Sequence, residues 1–135
     1  AGTENILGSL NGVFFTDANT SKPTFANHLL ASNAATDIVA LVNDSPLQQY
    51  EVRSNNAGAS AQADVGATAD IAYTAGSTAN FVSGCTLDDA TINVAVQQLK
   101  IIGVSRDPEN SDLTAANVVW RVIVNQSAFD DTSGV

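Results

Sequence analysis

Apolar and polar residues along this chain change places in short bursts, and sustained three-to-four helical spacing is rare. Leu7 to Phe15 (LGSLNGVFF) is apolar, with Gly8 and Gly12 inside it. Two glycines weaken a helix more than a strand that bends, so the segment predicts a kinked strand ending at Thr16-Asp17-Ala18-Asn19. Beyond Lys22-Pro23 the pattern is irregular. Phe25, Leu29 and Leu30 share one face of a short helical turn, but Asn33-Ala34-Ala35-Thr36 dissolves it, and the stretch reads as a loop pinning these side chains onto the core. Ile38 to Val42 (IVALV) is a bounded apolar run, which predicts a strand buried on both faces. Gln49 to Ser54 alternates, with Tyr50 and Val52 facing in and Glu51 and Arg53 facing water. Pro46, in the turn between these two strands, limits where their pairing stops.

Asn55 to Thr68 is rich in Ala, Asn, Ser and Gly; a helical turn over Ser60–Val65, stopped by Gly66, is expected there. Asp70 to Thr74 predicts a short strand followed by the turn Ala75-Gly76-Ser77. In Ile92–Val104, the stripe of Ile92, Val94 and Val96 slips by one residue into that of Leu99, Ile101 and Gly103. Such a slip is what a β-bulge produces, so a long, bent central strand is expected, ending at Arg106-Asp107-Pro108. Asn117–Asn125 predicts a second long strand. Val118, Trp120, Val122 and Val124 line one face; Val119 and Ile123, interrupted by Arg121, line a face suited to a partner subunit. The sum is an all-β domain, a small antiparallel β-barrel or sandwich with long loops and at most one or two short helical turns. Residues 1–135 form one domain in this reading, with polar arms at 1–5 and 126–135.

Composition narrows the function. Charged residues are 14% of the 135, against roughly 25% in typical soluble domains, so Thr, Ser, Asn and Gln supply the polar surface, as suits a surface that abuts other protein. The net charge is −9, and the five basic residues (Lys22, Arg53, Lys100, Arg106, Arg121) are scattered along the chain. Nucleic-acid binding requires clustered Lys and Arg against phosphates, so neither nucleic acid nor an anionic membrane is an expected partner. No apolar run approaches the ~18 residues of a spanning helix. The chain has no Met and begins at Ala1, which reads as a mature protein or a piece of a longer one.

Candidate chemistry is sparse. Cys85 is alone, so no intrachain disulfide forms, and it reads as a small buried or half-buried residue. His28 has no nucleophile elbow to serve and reads as a loop or interface hydrogen-bonding group. The carboxylates at Asp88-Asp89, Asp107, Glu109, Asp112 and Asp130-Asp131 lack the spacing of a calcium loop and read as solvated turn residues. No phosphate-cradling glycine loop is present, and the Asn-x-Ser triplets at Asn19, Asn43 and Asn125 are chance matches in an Asn/Ser-rich chain. The expectation is no enzyme, no cofactor and no metal.

Three stretches, in order, resemble a family of tailed-bacteriophage head structural proteins. LGSLNGVFFTDANTSKPTFANH (7–28) is similar to that family's glycine-spaced apolar opening, Tyr/Phe-Thr-Asp and Lys-Pro-Thr-Phe/Trp. IVALVNDSPLQQYEVRS (38–54) resembles its strand pair around Asp-Asp-Pro and Phe/Tyr-Glu-Val/Ile, and QLKIIGVSRDPENSDLTAANVVWRVIVNQSAF (98–129) resembles its close, from Gln-Leu-Lys/Arg-Ile-Leu-Gly onward. ADVGATADI (63–71) is similar to the link between them. The chain departs from the pattern at Asn43-Asp44-Ser45-Pro46, in place of the acidic pair before Pro, and at Asn125-Gln126-Ser127, which lacks the closing His. Additional β-rich sequence usually precedes the GVFFTD segment in the family, and its absence here suggests maturation cleavage, a truncated chain or a shorter member.

The resemblance implies a decoration or cement subunit on the outer surface of a capsid, with the major capsid protein as partner and a homo-oligomer, trimer or dimer, as its state. Candidate contacts to capsid or subunit are Phe14 and Phe15, then Lys22, Pro23, Phe25, His28 and Leu29. A second group is Val119, Arg121 and Ile123 with Phe129 in the tail. The rival expectation is a host-surface or carbohydrate-binding module of a phage fibre or adhesin, which aromatics grouped on an exposed loop would favour.

Overall fold

The computed structural model describes residues 4–94 and 96–129. The described chain is all-β: eight strands in two antiparallel sheets, with three short 3-10 turns, one more than expected, at Gln62–Asp64, Asp89–Thr91 and Pro108–Asn110. Strands β1 (Ser9–Thr16), β2 (Pro23–Ala26) and β3 (Val39–Asn43) make a three-stranded sheet in the order β2-β1-β3. Strands β4 (Gln49–Arg53), β5 (Thr68–Ala72), β6 (Thr86–Asp88), β7 (Leu99–Val104) and β8 (Val119–Val124) make a five-stranded sheet in the order β4-β8-β7-β5-β6.

The core belongs to the five-stranded sheet. Ala69, Leu87, Leu99, Ile101, Val118, Trp120 and Val122 are buried together, with Ile6, Tyr50, Val52 and Ile71 packed against them. On β8 the inward stripe is Trp120, Val122 and Val124, as the alternation requires. Each of the largest of these side chains contributes about 1.5–3 kcal/mol by leaving water. The bulge inferred from the slipped stripe is real but lies between Ile101 and Gly103, where β7 shifts against β8. At Gly103 a Cβ would stand 2.7 Å from the end of the Arg121 guanidinium, which covers the glycine and donates to the Val104 carbonyl, so a side chain there would push that flexible group aside.

Several expectations need correction. The stretch around Lys22–Leu30 is not all loop: Pro23 opens β2, which pairs with β1 in register Phe14↔Phe25 and Thr16↔Pro23. A proline is accepted at the first residue of an edge strand because no ladder partner needs its missing N–H. Phe25, Leu29 and Leu30 are exposed rather than pinned onto the core. The IVALV run forms most of β3, but among the described residues no layer covers Val39, Ala40 or Leu41, which are exposed, because an apolar run identifies a strand without identifying what packs on it. It does not pair with β4 across Pro46 either: the two strands lie in different sheets. The expected long strand from Ile92 begins only at Leu99. Asn93 takes a left-handed φ of 63°, its amide donates to the Thr68 carbonyl, and Val94 and Val96 are left exposed. The strand at Asp70–Thr74 is shifted to Thr68–Ala72, and β6 was not anticipated, being three residues long.

The ends are also tied in. Ile6 bridges Ser127, its amide donating to the Gln126 carbonyl while the Ala128 amide donates to its own. Gln98, fully buried, donates to the Glu4 carbonyl and to the Tyr73 hydroxyl, and accepts from the Ile71 amide. Neither 4–5 nor 126–129 is therefore a free arm, the Phe129 amide donating to the Ser127 hydroxyl; the rest of both expected arms, 1–3 and 130–135, lies outside the described residues.

Candidate interaction surface

Alternation along β1 divides the three-stranded sheet into two faces. Val13 and Phe15 are buried on one; Phe14 points to the other, beside its partners Phe25 on β2 and Val39 on β3. Gly12, two residues back on the same face as Phe14, lies under the Phe25 ring, where a Cβ would come 2.5 Å from Cζ, and pairs with Leu41. The result is a row of apolar side chains open to solvent: Phe14 (44% exposed), Phe25 (61%), Val39 (53%) and Leu41 (46%). Scattered single apolar residues are normal on a surface, whereas a set in register across three strands makes this face the candidate interaction surface.

The hairpin that aligns Phe14 with Phe25 is built by the TDANTSKP segment. The Asp17 carboxylate accepts from the Asn19 and Thr20 amides and the Thr20 hydroxyl, the Asp17 amide donates to the Lys22 carbonyl, and Ser21 adopts φ 55°. The backbone bonds to Thr20 and Asn19 hold the Asp17 carboxyl below its ordinary pKa. On the far side of β1, Asp37 accepts from the Thr16 hydroxyl at 2.6 Å and from the Thr16 amide, and these bonds likewise lower its pKa.

The sequence-expected contact residues separate accordingly. Phe14, Lys22, Pro23, Phe25, Leu29 and Phe129 are exposed; Phe15 is buried and offers nothing to a partner. His28 is half-buried, its ring stacked on Phe81 at 3.6 Å between centroids, which ties the segment after β2 to the loop between β5 and β6. Val119, Arg121 and Ile123 are half-buried on the outer face of the five-stranded sheet, on a different sheet from Phe14 and Phe25. Val39 and Leu41 were missed as contacts. No local signal could have found them, since a run without charge or proline next to turn residues is as consistent with an uncovered strand as with a buried one.

Elsewhere the carboxylates mostly serve turns: Asp88 receives the Ala90 amide, Asp107 that of Glu109, and Asp112 the amide and hydroxyl of Thr114. Asp89 departs from that reading. It is buried beside the end of β4, accepts from the Ser54 hydroxyl at 2.5 Å, and burial raises its pKa against the opposing effect of that bond. Cys85, expected to be at least half-buried, is exposed; it lies outside β6, ahead of the buried Leu87. Among the described residues no group of three or more His, Cys, Asp or Glu is placed to hold a metal ion, and no helix is long and apolar enough to cross a membrane. A cleft of about 760 Å³ lies between Asn27–Ala31 and the 73–85 loop, with Tyr73, Phe81 and His28 in its wall.

No protein-family model, curated protein or solved structure matches the chain.

Proposed function

We propose that this chain is a structural protein of a virus particle, which binds the outer surface of a tailed-phage capsid and bridges neighbouring major capsid subunits. The observation that carries the reading is the open apolar row of Phe14, Phe25, Val39 and Leu41. It is built from the two stretches, 7–28 and 38–54, that open the resemblance to head structural proteins. The action is mechanical. A shell packed with DNA is pushed outward, and a wedge adhering to two neighbours raises the cost of separating them; modest contacts suffice because many copies act at once. A net charge of −9 suits the outside of the shell rather than the side facing the genome. The chain works as a homo-oligomer and makes or breaks no covalent bond.

Mass spectrometry and imaging of purified particles test the proposal through copy number. Hundreds of copies per capsid are expected; absence from particles, or a handful confined to the tail, overturns it.

A second reading, a carbohydrate-binding module, draws on Tyr73, exposed in the cleft wall beside Phe81. Sugars stack on free aromatic faces, and one face of Phe81 is already covered by His28. A glycan array with hits abolished by Tyr73→Ala would favour this reading over the first.

A further inference from the structure

We infer that two copies of this chain join along the free edge of β3, each strand pairing antiparallel with its counterpart about a two-fold axis. Among the described residues four strands lie at sheet edges: β2, β3, β4 and β6. An edge presents unpaired N–H and C=O groups and invites another strand, so proteins blunt edges with proline, charge or brevity. β2 has four residues and opens with Pro23; β4 carries Glu51 and Arg53; β6 has three residues and ends in Asp88. β3, Val39-Ala40-Leu41-Val42-Asn43, has five residues with neither charge nor proline. One of its sides is bonded to β1; among the described residues no other backbone group pairs with Val39 to Val42. Three edges are protected and one is not.

The unpaired main chain specifies an extended strand as occupant, and charge selects which. An uncharged edge gives a charged strand no partner for its side chains, whereas it matches itself. Set antiparallel with Ala40 opposite Ala40, Val39 meets Leu41, Asp37 stands opposite Asn43, and Asp44 stands opposite Thr36. No carboxylate faces another, so this register adds no direct carboxylate repulsion between two chains of net charge −9. Asp37 is moreover already engaged by Thr16. The contact is isologous and closes on itself, as two-fold dimers do. It turns two three-stranded sheets into one of six strands and doubles the apolar row into a single floor. A pairing of two five-residue strands is small beside the roughly 1,000 Å² at which specific interfaces begin, so weak, micromolar association is expected.

This inference concerns the free protein and holds or fails independently of shell binding. Sedimentation equilibrium of the full chain, from about 1 to several hundred µM, brackets a micromolar constant. The average mass is expected to climb from 13.9 kDa toward twice that value. The double variant Val39→Glu/Leu41→Glu, altered only at exposed side chains, is expected to stay monomeric with an unchanged circular dichroism spectrum. In the unaltered chain, amide exchange at Ala40–Val42 is expected to slow with rising concentration, a readout that does not depend on how the variant folds. A mass constant at 13.9 kDa, a variant that associates equally well, or protection appearing at β2 or β4 instead overturns the inference.

Discussion

The two sheets use the same residue types to opposite ends. In the five-stranded sheet, Trp120, Ile101, Leu87 and Val122 are removed from water, and even polar side chains such as Gln98 and Ser54 are buried with partners. In the three-stranded sheet one face packs through Val13 and Phe15, while Phe14, Phe25, Val39 and Leu41 stay wet. The difference teaches that burial and exposure are divided between the sheets: one supplies the buried core, the other an open apolar face aligned by the Asp17 turn and the Thr16–Asp37 bonds, the face that the proposed shell contact would use.

That division can be broken from either side. Trp120→Ala should cost about 3–5 kcal/mol, since it empties the centre of the core. A thermal melt should show the whole chain, not one sheet, losing its structure. Gly8→Ala should cost on the order of 2 kcal/mol, because at φ 152° its Cβ would stand 2.0 Å from the Asn43 carbonyl oxygen. Residue-resolved amide exchange should place the loosening in β1 and β3 and leave β7 and β8 protected. Phe14→Ser with Phe25→Ser should cost about 1 kcal/mol or less as an exposed cross-strand pair. The same change should sharply reduce occupancy on particles.

The smallest expected effect is on pH dependence, where the sheets should differ in sign. Asp37 has a folded pKa below its ordinary 3.8. Its contribution is therefore present above that value and lost as pH falls through the lowered pKa, so Thr16 exchange should quicken in strong acid. Asp89 has a folded pKa raised above 3.8 by burial. Its contribution is complete below 3.8 and declines as pH rises through the raised pKa. Asp89→Asn should flatten that decline in denaturant titrations while leaving Thr16 exchange unchanged.

Much of the architecture was legible in the sequence. The alternations at Gln49–Ser54 and Asn117–Asn125 reported their inward residues correctly, because period two follows directly from strand geometry. The bulge was visible as a phase slip, although Val94 and Val96 extended the pattern falsely into a turn broken at Asn93. What alternation could not convey was layering. IVALV has the same composition whether a second sheet covers it or solvent does, and the proline ahead of Phe25 gives no sign that it opens a strand. The candidate surface was half readable for that reason: Phe14 and Phe25 were singled out, while Val39 and Leu41 were assigned to a core that does not extend over them. Gln98 was visible only as part of the Gln-Leu-Lys stretch; its role as a buried tie among Glu4, Ile71 and Tyr73 depends on long-range contacts that no local pattern encodes.

A high-resolution image of intact purified particles puts the division of labour to its most direct test. The account predicts many copies on the outer shell, with Phe14, Phe25, Val39 and Leu41 turned toward capsid subunits and the five-stranded sheet standing away from them. Copies that instead touch the shell through Val119, Arg121 and Ile123, leaving the three-stranded sheet bare, would contradict it.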